Sequence, residues 1–173
     1  FKYKDFNIKL PLIGRHQIQN CVLAIDIAEF VLKKLNAKLL NRAISKLSWA
    51  GRMEKLSKGN IYYDVAHNYD GIRALINTVE KIHPNKKIVG LFCIKAEKNI
   101  ELICDLLRKD FTKLIICQDK EKYLLSVKAL SEIFKKEKIN FLEEKSVKNG
   151  IKILSDINIE EYVGLIFGSH YIA

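Results

Sequence analysis

The 173-residue chain reads as a Rossmann-like α/β domain: a mostly parallel sheet of about six strands, helices on both faces and an antiparallel hairpin at one edge. Three observations predict it. Near-continuous apolar runs at residues 87–93, 113–117 and 162–167 have strand length and no polar side, as strands buried on both faces do. Amphipathic segments of helical period alternate with them. Two earlier strand-like segments, residues 53–57 and 60–65, are joined around Lys58-Gly59, a hairpin signal.

Taken in order, residues 6–10 alternate like a half-buried strand, and Pro11 and Gly14 punctuate the stretch after it. From Gln17 the spacing of Ile18, Val22, Ile25, Ala28, Leu32 and Leu35 predicts a helix with those residues on its buried stripe. A short helix over 39–47 comes next. Residues 1–48 thus hold one strand and two helices without a sheet of their own, the tail of another unit, and residues 49–173 form the sheet domain. There, a helix carrying Ile72, Leu75, Ile76, Val79 and Ile82 inward is stopped by Pro84. Further helices are predicted over 100–107, 127–134 and 147–154, with a weaker strand at 139–142. Trp49 reads as core packing at the junction.

The bulk composition narrows the classes. With 49% hydrophobic and 29% charged residues the chain can bury an ordinary core, and no apolar run approaches the eighteen or so residues of a membrane span. The start, Phe1-Lys2-Tyr3-Lys4-Asp5, is no signal peptide, and a Phe in place of Met suggests a piece of a longer protein. The net charge of +10 comes from 25 lysines and only 5 arginines, scattered along the chain. A nucleic-acid reader clusters its cations, favours Arg and interleaves aromatics, so Lys33-Lys34, Lys86-Lys87 and Lys135-Lys136 read as solvated surface and no nucleic-acid partner is expected. Cys21, Cys93, Cys104 and Cys117 form no Cys-x-x-Cys pair, and the four histidines show no metal spacing. Reduced thiols in a cytoplasmic protein without a structural metal are expected.

Several positions carry chemistry. Asp64 ends a strand-like run, where a carboxylate either accepts the hydroxyls of a ribose or serves as a turn residue or cap. His67, three residues on, either meets a phosphate or base or is merely satisfied locally. Asn68 N-caps the next helix. Arg52, between Gly51 and Met53, has room to approach a phosphate bidentately; the alternative is a surface salt bridge, with Glu54 as partner. Asn20 lies four residues from His16 and leads into Ala24, Ile27 and Val31, so its amide sits at the end of a buried flank, either reading an adenine edge or, the simpler reading, capping the helix start. The phosphate loop Gly-x-x-x-x-Gly-Lys-[Ser/Thr], the dinucleotide Gly-x-Gly-x-x-Gly and the hydrolase Gly-x-Ser-x-Gly do not occur in the sequence.

Together, Leu10-Pro11-Leu12-Ile13-Gly14-x-His16-Gln17-x-x-Asn20, Trp49-x-Gly51-Arg52-x-Glu54, Asp64-x-Ala66-His67-Asn68 and Gly168-Ser169-x-Tyr171 resemble the folylpolyglutamate synthase/dihydrofolate synthase family, within the wider Mur ligase group of ATP-dependent amide-forming enzymes. The four motifs stand in register over nearly the whole chain. The resemblance implies an N-terminal ATPase domain with a phosphate loop, of which residues 1–48 are the tail, and a C-terminal glutamate-ligase domain at 49–173 that packs on it. It implies ATP and Mg2+ as cofactors, the metal held mainly by the other domain, with folate or dihydropteroate and L-glutamate as substrates. ATP phosphorylates the pteroate or folate carboxylate, the glutamate amine attacks the acyl phosphate, and ADP and phosphate leave.

By matching position, Asn20 contacts adenine, Arg52 reaches the phosphates, Asp64 holds the ribose and His67 lines the same pocket; Arg52 and His67 are the catalytic candidates. Lys98 is the candidate for a glutamate carboxylate, with Lys95 its rival by a three-residue shift, and Ser169 is a second glutamate contact. The sequence departs from the family pattern where Val65 replaces Gly, where Tyr69 replaces Pro, and where Glu97 and Asn99 replace two Asp residues around Lys98. The piece alone is expected to be inactive. The alternatives are another Mur-type ligase acting on cell-wall precursors, or a non-catalytic basic α/β binding module.

Overall fold

The computed structural model describes residues 1–56, 59–118, 123–158 and 160–172. The chain opens with two short strands, β1 (Lys2–Tyr3) and β2 (Phe6–Asn7), which pair antiparallel. Helices α1 (Arg15–Leu32) and α2 (Ala37–Ile44) come next. The remainder runs β3 (Glu54–Lys55), β4 (Ile61–Tyr63), α3 (Tyr69–Ile82), β5 (Lys87–Phe92), α4 (Glu101–Asp110), β6 (Phe111–Ile116), α5 (Val127–Lys136), β7 (Phe141–Glu143), α6 (Val147–Ser155) and β8 (Tyr162–Phe167), closing on a 3₁₀ turn, His170–Ile172.

Six strands pair in the order β3-β4-β8-β5-β6-β7, all parallel except β3, which runs antiparallel along β4 at the edge. This is the predicted α/β architecture. Three crossovers, β4 to β5, β5 to β6 and β6 to β7, step one way across the sheet, and β7 to β8 steps back. Right-handed crossovers therefore put α3, α4 and α5 on one face and α6 on the other. The alternation along β8 shows the split: Val163, Leu165 and Phe167 pack with Ile72, Leu75, Leu107, Leu130 and Phe134, while Ile166 packs with Leu154 of α6.

Local signals behave as the side chains dictate. Asn68 caps α3, its Oδ1 accepting from Gly71 N–H at 2.8 Å, and Ser126 and Ser146 do the same for α5 and α6. The strands of the hairpin, β3 and β4, are shorter than residues 53–57 and 60–65; of the predicted turn, Ser57 and Lys58 lie outside the described residues, and Gly59 has φ +69°. All four cysteines are buried, and none is in a disulfide.

The first 48 residues differ most from expectation. They have a sheet of their own, because Lys2–Tyr3 folds back on Phe6–Asn7, and Tyr3 and Lys4 bind Asp26 of α1 across it. The helix starts at Arg15, and its buried residues are Gln17, Cys21 and Ile25, one i, i+4, i+8 line facing Phe6, Ile8 and Ile44. The expected stripe is half wrong: Ile25 is buried, but Ile18 and Leu32 are exposed. The flank through Asn20 and Ala24 to Ile27 and Val31 is exposed as well. An apolar helix cannot reveal from its own period which side meets a partner. Trp49 is 65% exposed and is no core residue.

β8 ends where three backbones converge. Gly168 has φ +103°, and a Cβ there would lie 2.1 Å from the carbonyl oxygen of Cys93; its N–H donates to Ala66 O at 2.8 Å. Glycine is required both by the dihedral and by the contact. Gly168→Ala is therefore expected to lower the unfolding free energy by roughly 2–4 kcal/mol, read as a shifted urea midpoint with an unchanged slope; a midpoint within error of the parent's would contradict this account of the strand end.

Candidate functional site

The carboxyl ends of β4, β8 and β5 form one rim. After β4 the chain passes to α3 on one face, whereas after β8 it enters the 3₁₀ turn whose Ile172 packs into the cluster on the other. Neighbouring strands whose continuations part to opposite faces open the crevice in which α/β folds bind ligands. Asp64, Ala66 and His67 come after β4, Ser169 and Tyr171 after β8, and Lys95 after β5.

Asp64 is the organising residue. It is 6% exposed, its Oδ2 accepts from Met53 N–H and its Oδ1 from Ala66 N–H, both at 2.9 Å. Burial raises its pKa, against the two backbone donors and the nearby Arg52 guanidinium. The first donor belongs to a bent segment: Gly51 has φ +69° and Met53 φ +50°, a left-handed conformation uncommon for a residue with a side chain. Glu54 Oε2 accepts from Gly51 N–H at 3.0 Å, and Gly51 O accepts from Val65 N–H at 2.9 Å. Arg52 is thus presented from a loop tied at both ends. Among the described residues it forms no ion pair within 4 Å, and the carboxylate of Glu54 serves Gly51 rather than the guanidinium.

The two departures beside Asp64 and His67 are accommodated. Val65 does not take a positive φ, and its side chain fills the space above Gly51, where a Cβ would lie 2.6 Å from Val65 Cγ1. Tyr69 opens α3 and its hydroxyl accepts from Arg73 at 3.0 Å. His67 Nδ1 lies 2.8 Å from Val65 O, and since a carbonyl only accepts, Nδ1 is the nitrogen that donates there.

Asn20 lies on the exposed second turn of α1, five residues past its start, so it is no helix cap. Its Nδ2 donates to Gln17 Oε1 at 3.4 Å, and Gln17 Nε2 lies 3.0 Å from His16 Nε2. A pocket of about 310 Å3 brings Asn20 and Gln17 together with Arg52, under Trp49, Leu12 and Leu47. A wider cleft of about 1390 Å3, between residues 8–19 and α3, is lined among the described residues by His16 but not by Asn20, Arg52, Asp64 or His67.

The amino-acid end is less gathered. Ser169 is 3% exposed, and its Oγ accepts from Tyr171 N–H at 3.2 Å, so the hydroxyl already caps the 3₁₀ turn. Lys95 Nζ sits 4.9 Å from the centre of the Tyr171 ring, which Tyr123 stacks at 5.0 Å. Lys98 is exposed, its backbone N–H closing a turn on Lys95 O at 3.1 Å. Lys95, not Lys98, is the lysine brought to the Ser169–Tyr171 segment. The sequence offers no hint of this cation–aromatic contact, which depends on the pairing of Lys95 with Leu124.

Fold and site together define an α/β domain with a crevice at the carboxyl edge of its sheet, where Arg52 and Asp64 lie on neighbouring loops. The family model for the Mur ligase glutamate ligase domain matches residues 51–170, and the chain belongs to that family. It is 33% identical over 101 residues to dihydrofolate synthase/folylpolyglutamate synthase of Bacillus subtilis, covering 56% of this chain and 23% of the relative. The enzyme of the same name in Mycobacterium tuberculosis is 27% identical over 135 residues, covering 75% and 27%. The chain therefore spans about a quarter of the length of these curated relatives. The structure of Mycobacterium tuberculosis folylpolyglutamate synthase complexed with ADP and AMPPCP superposes with a TM-score of 0.81 at 23% identity, over 92% of this chain and 39% of that one, a likeness of fold.

Asp64 gives the fold a measurable pH signature. A carboxyl that holds its proton more tightly when folded makes the native state most stable below the ordinary value of 3.8, and less so as pH rises towards the raised folded value. Between those two values the stability of the parent chain relative to Asp64→Asn should fall with rising pH, as tracked by urea unfolding at stepped pH. A difference that is flat or grows with pH would contradict the assignment.

Proposed function

We propose that residues 49–173 are the glutamate-ligase domain, and residues 1–48 the tail of an adjoining ATPase domain, of an ATP-dependent amide ligase that adds L-glutamate to a folate or dihydropteroate carboxylate. The observation that carries this reading is the joint placement of Asn20 and Arg52 in one pocket, with Asp64 holding the Arg52 loop, in a chain that belongs to the Mur ligase family and resembles its folate branch. That pocket suits the base end of ATP: its lining combines apolar Leu10, Leu12, Leu47 and Trp49 with the amide of Asn20 and the guanidinium of Arg52.

Bound ATP supplies the phosphoryl group that activates the carboxylate as an acyl phosphate. Arg52 faces the phosphates and offsets the negative charge that grows on them during transfer. Asp64 keeps lone pairs for the ribose hydroxyls beyond the two backbone donors it already accepts. His67, on the turn that Asp64 holds, lies outside the lining of that pocket and is the candidate to meet the nucleotide beyond it. Lys95, stacked against Tyr171, is the better-placed cation for a glutamate carboxylate; Lys98 is its rival, and Ser169 holds the turn beneath. Among the described residues there is no group of three or more His, Cys, Asp or Glu that could hold a metal ion; the resemblance implies Mg2+ held mainly by the ATPase domain. The exposed flank of α1, with Leu23, Ile27, Phe30 and Val31, faces that domain. Among the described residues no helix is long and apolar enough to cross a membrane.

Two outcomes test this. In the complete ligase, Arg52→Ala and Asp64→Ala should each reduce ATP- and glutamate-dependent ligation about 10²–10³-fold, measured as glutamate incorporated into dihydropteroate or folate; near-parent kinetics in both would remove the site. The 173 residues alone should show no turnover with the same substrates, and ligation of a muramyl peptide in place of folate by the complete protein would move it to the cell-wall branch of the family.

A further inference from the structure

Two of the four cysteines are brought together by the sheet, and the proposed ligation uses neither. The pairing of β5 with β6 runs to Phe92 and Ile116, and Cys93 and Cys117 are the next residue on each strand. Parallel register sets them side by side on the same face of the sheet. Their sulfurs lie 3.2 Å apart, although the residues are 24 positions apart in the chain. The other two thiols have no such neighbour. Cys104 Sγ donates to Ile100 O at 3.3 Å, and Cys21 belongs to the separate cluster under the β1–β2 hairpin.

A disulfide brings its sulfurs to about 2.05 Å, with the Cα atoms roughly 4.4–6.8 Å apart. Neighbouring strands stand about 4.8 Å apart, so the backbone spacing suits the bond and the sulfurs have about 1 Å to travel. The β5–β6 ladder ends one residue earlier, and beyond it no ladder register holds the two backbones at a fixed spacing. At the present separation one thiol can donate to the other, and either can take either part. Whichever sulfur ionises therefore keeps a donor beside it.

Burial decides which oxidant reaches the pair. Cys93 and Cys117 are both 0% exposed, in a cluster that includes Leu124 and Ile172. Each of those two hangs on little backbone structure. Leu124 is held by its bridge to Lys95 and by the bond from Leu125 N–H to Ile94 O, and Ile172 by a single 3₁₀ turn. Segments of that kind open locally at low free energy. A brief opening admits a small uncharged peroxide and excludes a bulky peptide disulfide.

We propose that Cys93 and Cys117 form a two-electron redox site, closed to a disulfide by hydrogen peroxide and reopened by a dithiol. One sulfur attacks the peroxide: an S–O bond forms, the O–O bond breaks, and water leaves with the thiol proton. The second sulfur then attacks the first: the S–S bond forms, the S–O bond breaks, and a second water leaves. The two thiols lose two hydrogens, and one peroxide becomes two waters. A sulfenic acid beside a second thiol is captured before another peroxide enters a buried place, so the disulfide and not the sulfinic acid is the product. This chemistry is independent of the ligation reaction.

The test treats the complete folded protein with hydrogen peroxide and quenches it with catalase. Remaining thiols are then blocked with iodoacetamide in urea, and the peptides are mapped by mass. One link should join the peptides holding Cys93 and Cys117, with loss of two hydrogens and full reversal by dithiothreitol. Cys21 and Cys104 should be recovered alkylated. Peroxide treatment of the urea-unfolded protein removes the neighbourhood made by the sheet, and the same link should then be roughly tenfold rarer or less. Recovery of both Cys93 and Cys117 as thiols after peroxide overturns the proposal. So does their conversion to sulfinic acid without a link, or a link equally frequent in the unfolded protein.

Discussion

The carboxylate of Asp64 ties together the two loops that flank the β3–β4 pair. One oxygen accepts from Met53 and the other from Ala66, so the bend that carries Arg52 and the turn that carries His67 are fixed to one planar group. Met53 sits at φ +50°, a conformation that persists only where the surroundings over-determine it. The carboxylate, Glu54 on Gly51 and the Gly51–Val65 bond together supply that constraint. The backbone from which Arg52 projects is thus fixed by these contacts.

This arrangement also explains why an acidic residue is kept in a place that disfavours its charge. Burial pushes the Asp64 carboxyl up, and the two amide donors and the Arg52 cation push it back. Two backbone donors and a nearby guanidinium thus offset part of the desolvation that the carboxylate suffers. On the pocket side, Gln17 links the His16 ring to the Asn20 amide in one row of side-chain contacts.

Much of the sheet domain is legible in the sequence because its strands are apolar on both sides and its helices on one. Residues 87–92 and 162–167 announce themselves by composition, and Asn68 by its place before an amphipathic run. The edge strands read too long, since β3 and β4 stop after two and three paired residues, where Met53 and Asp64 leave the ladder. The pattern of α1 misleads for a different cause: it is apolar nearly all round, and burial of Cys21 and Ile25 rather than Ile18 and Leu32 is decided by where the β1–β2 hairpin lands. The motif residues are legible as types but not as geometry. Asn20 has the sequence position of a helix cap, and only the true start at Arg15 makes it a side chain at a pocket wall; Lys95 is a rival by counting and lies by Tyr171 only because its strand end meets Leu124.

The strand order carries a consequence in time. β8 is the last strand in sequence, yet it lies between β4 and β5 at the middle of the sheet, and Gly168 locks it to both neighbours. Until it arrives, β4 and β5 have no shared hydrogen bonds and the two hydrophobic clusters lack their common wall. The sheet therefore cannot close from its N-terminal side as the chain leaves the ribosome. Its formation waits on contacts between residues about a hundred positions apart, of the kind that slow folding, and the half-made domain spends that interval with its central strand edges open to other chains.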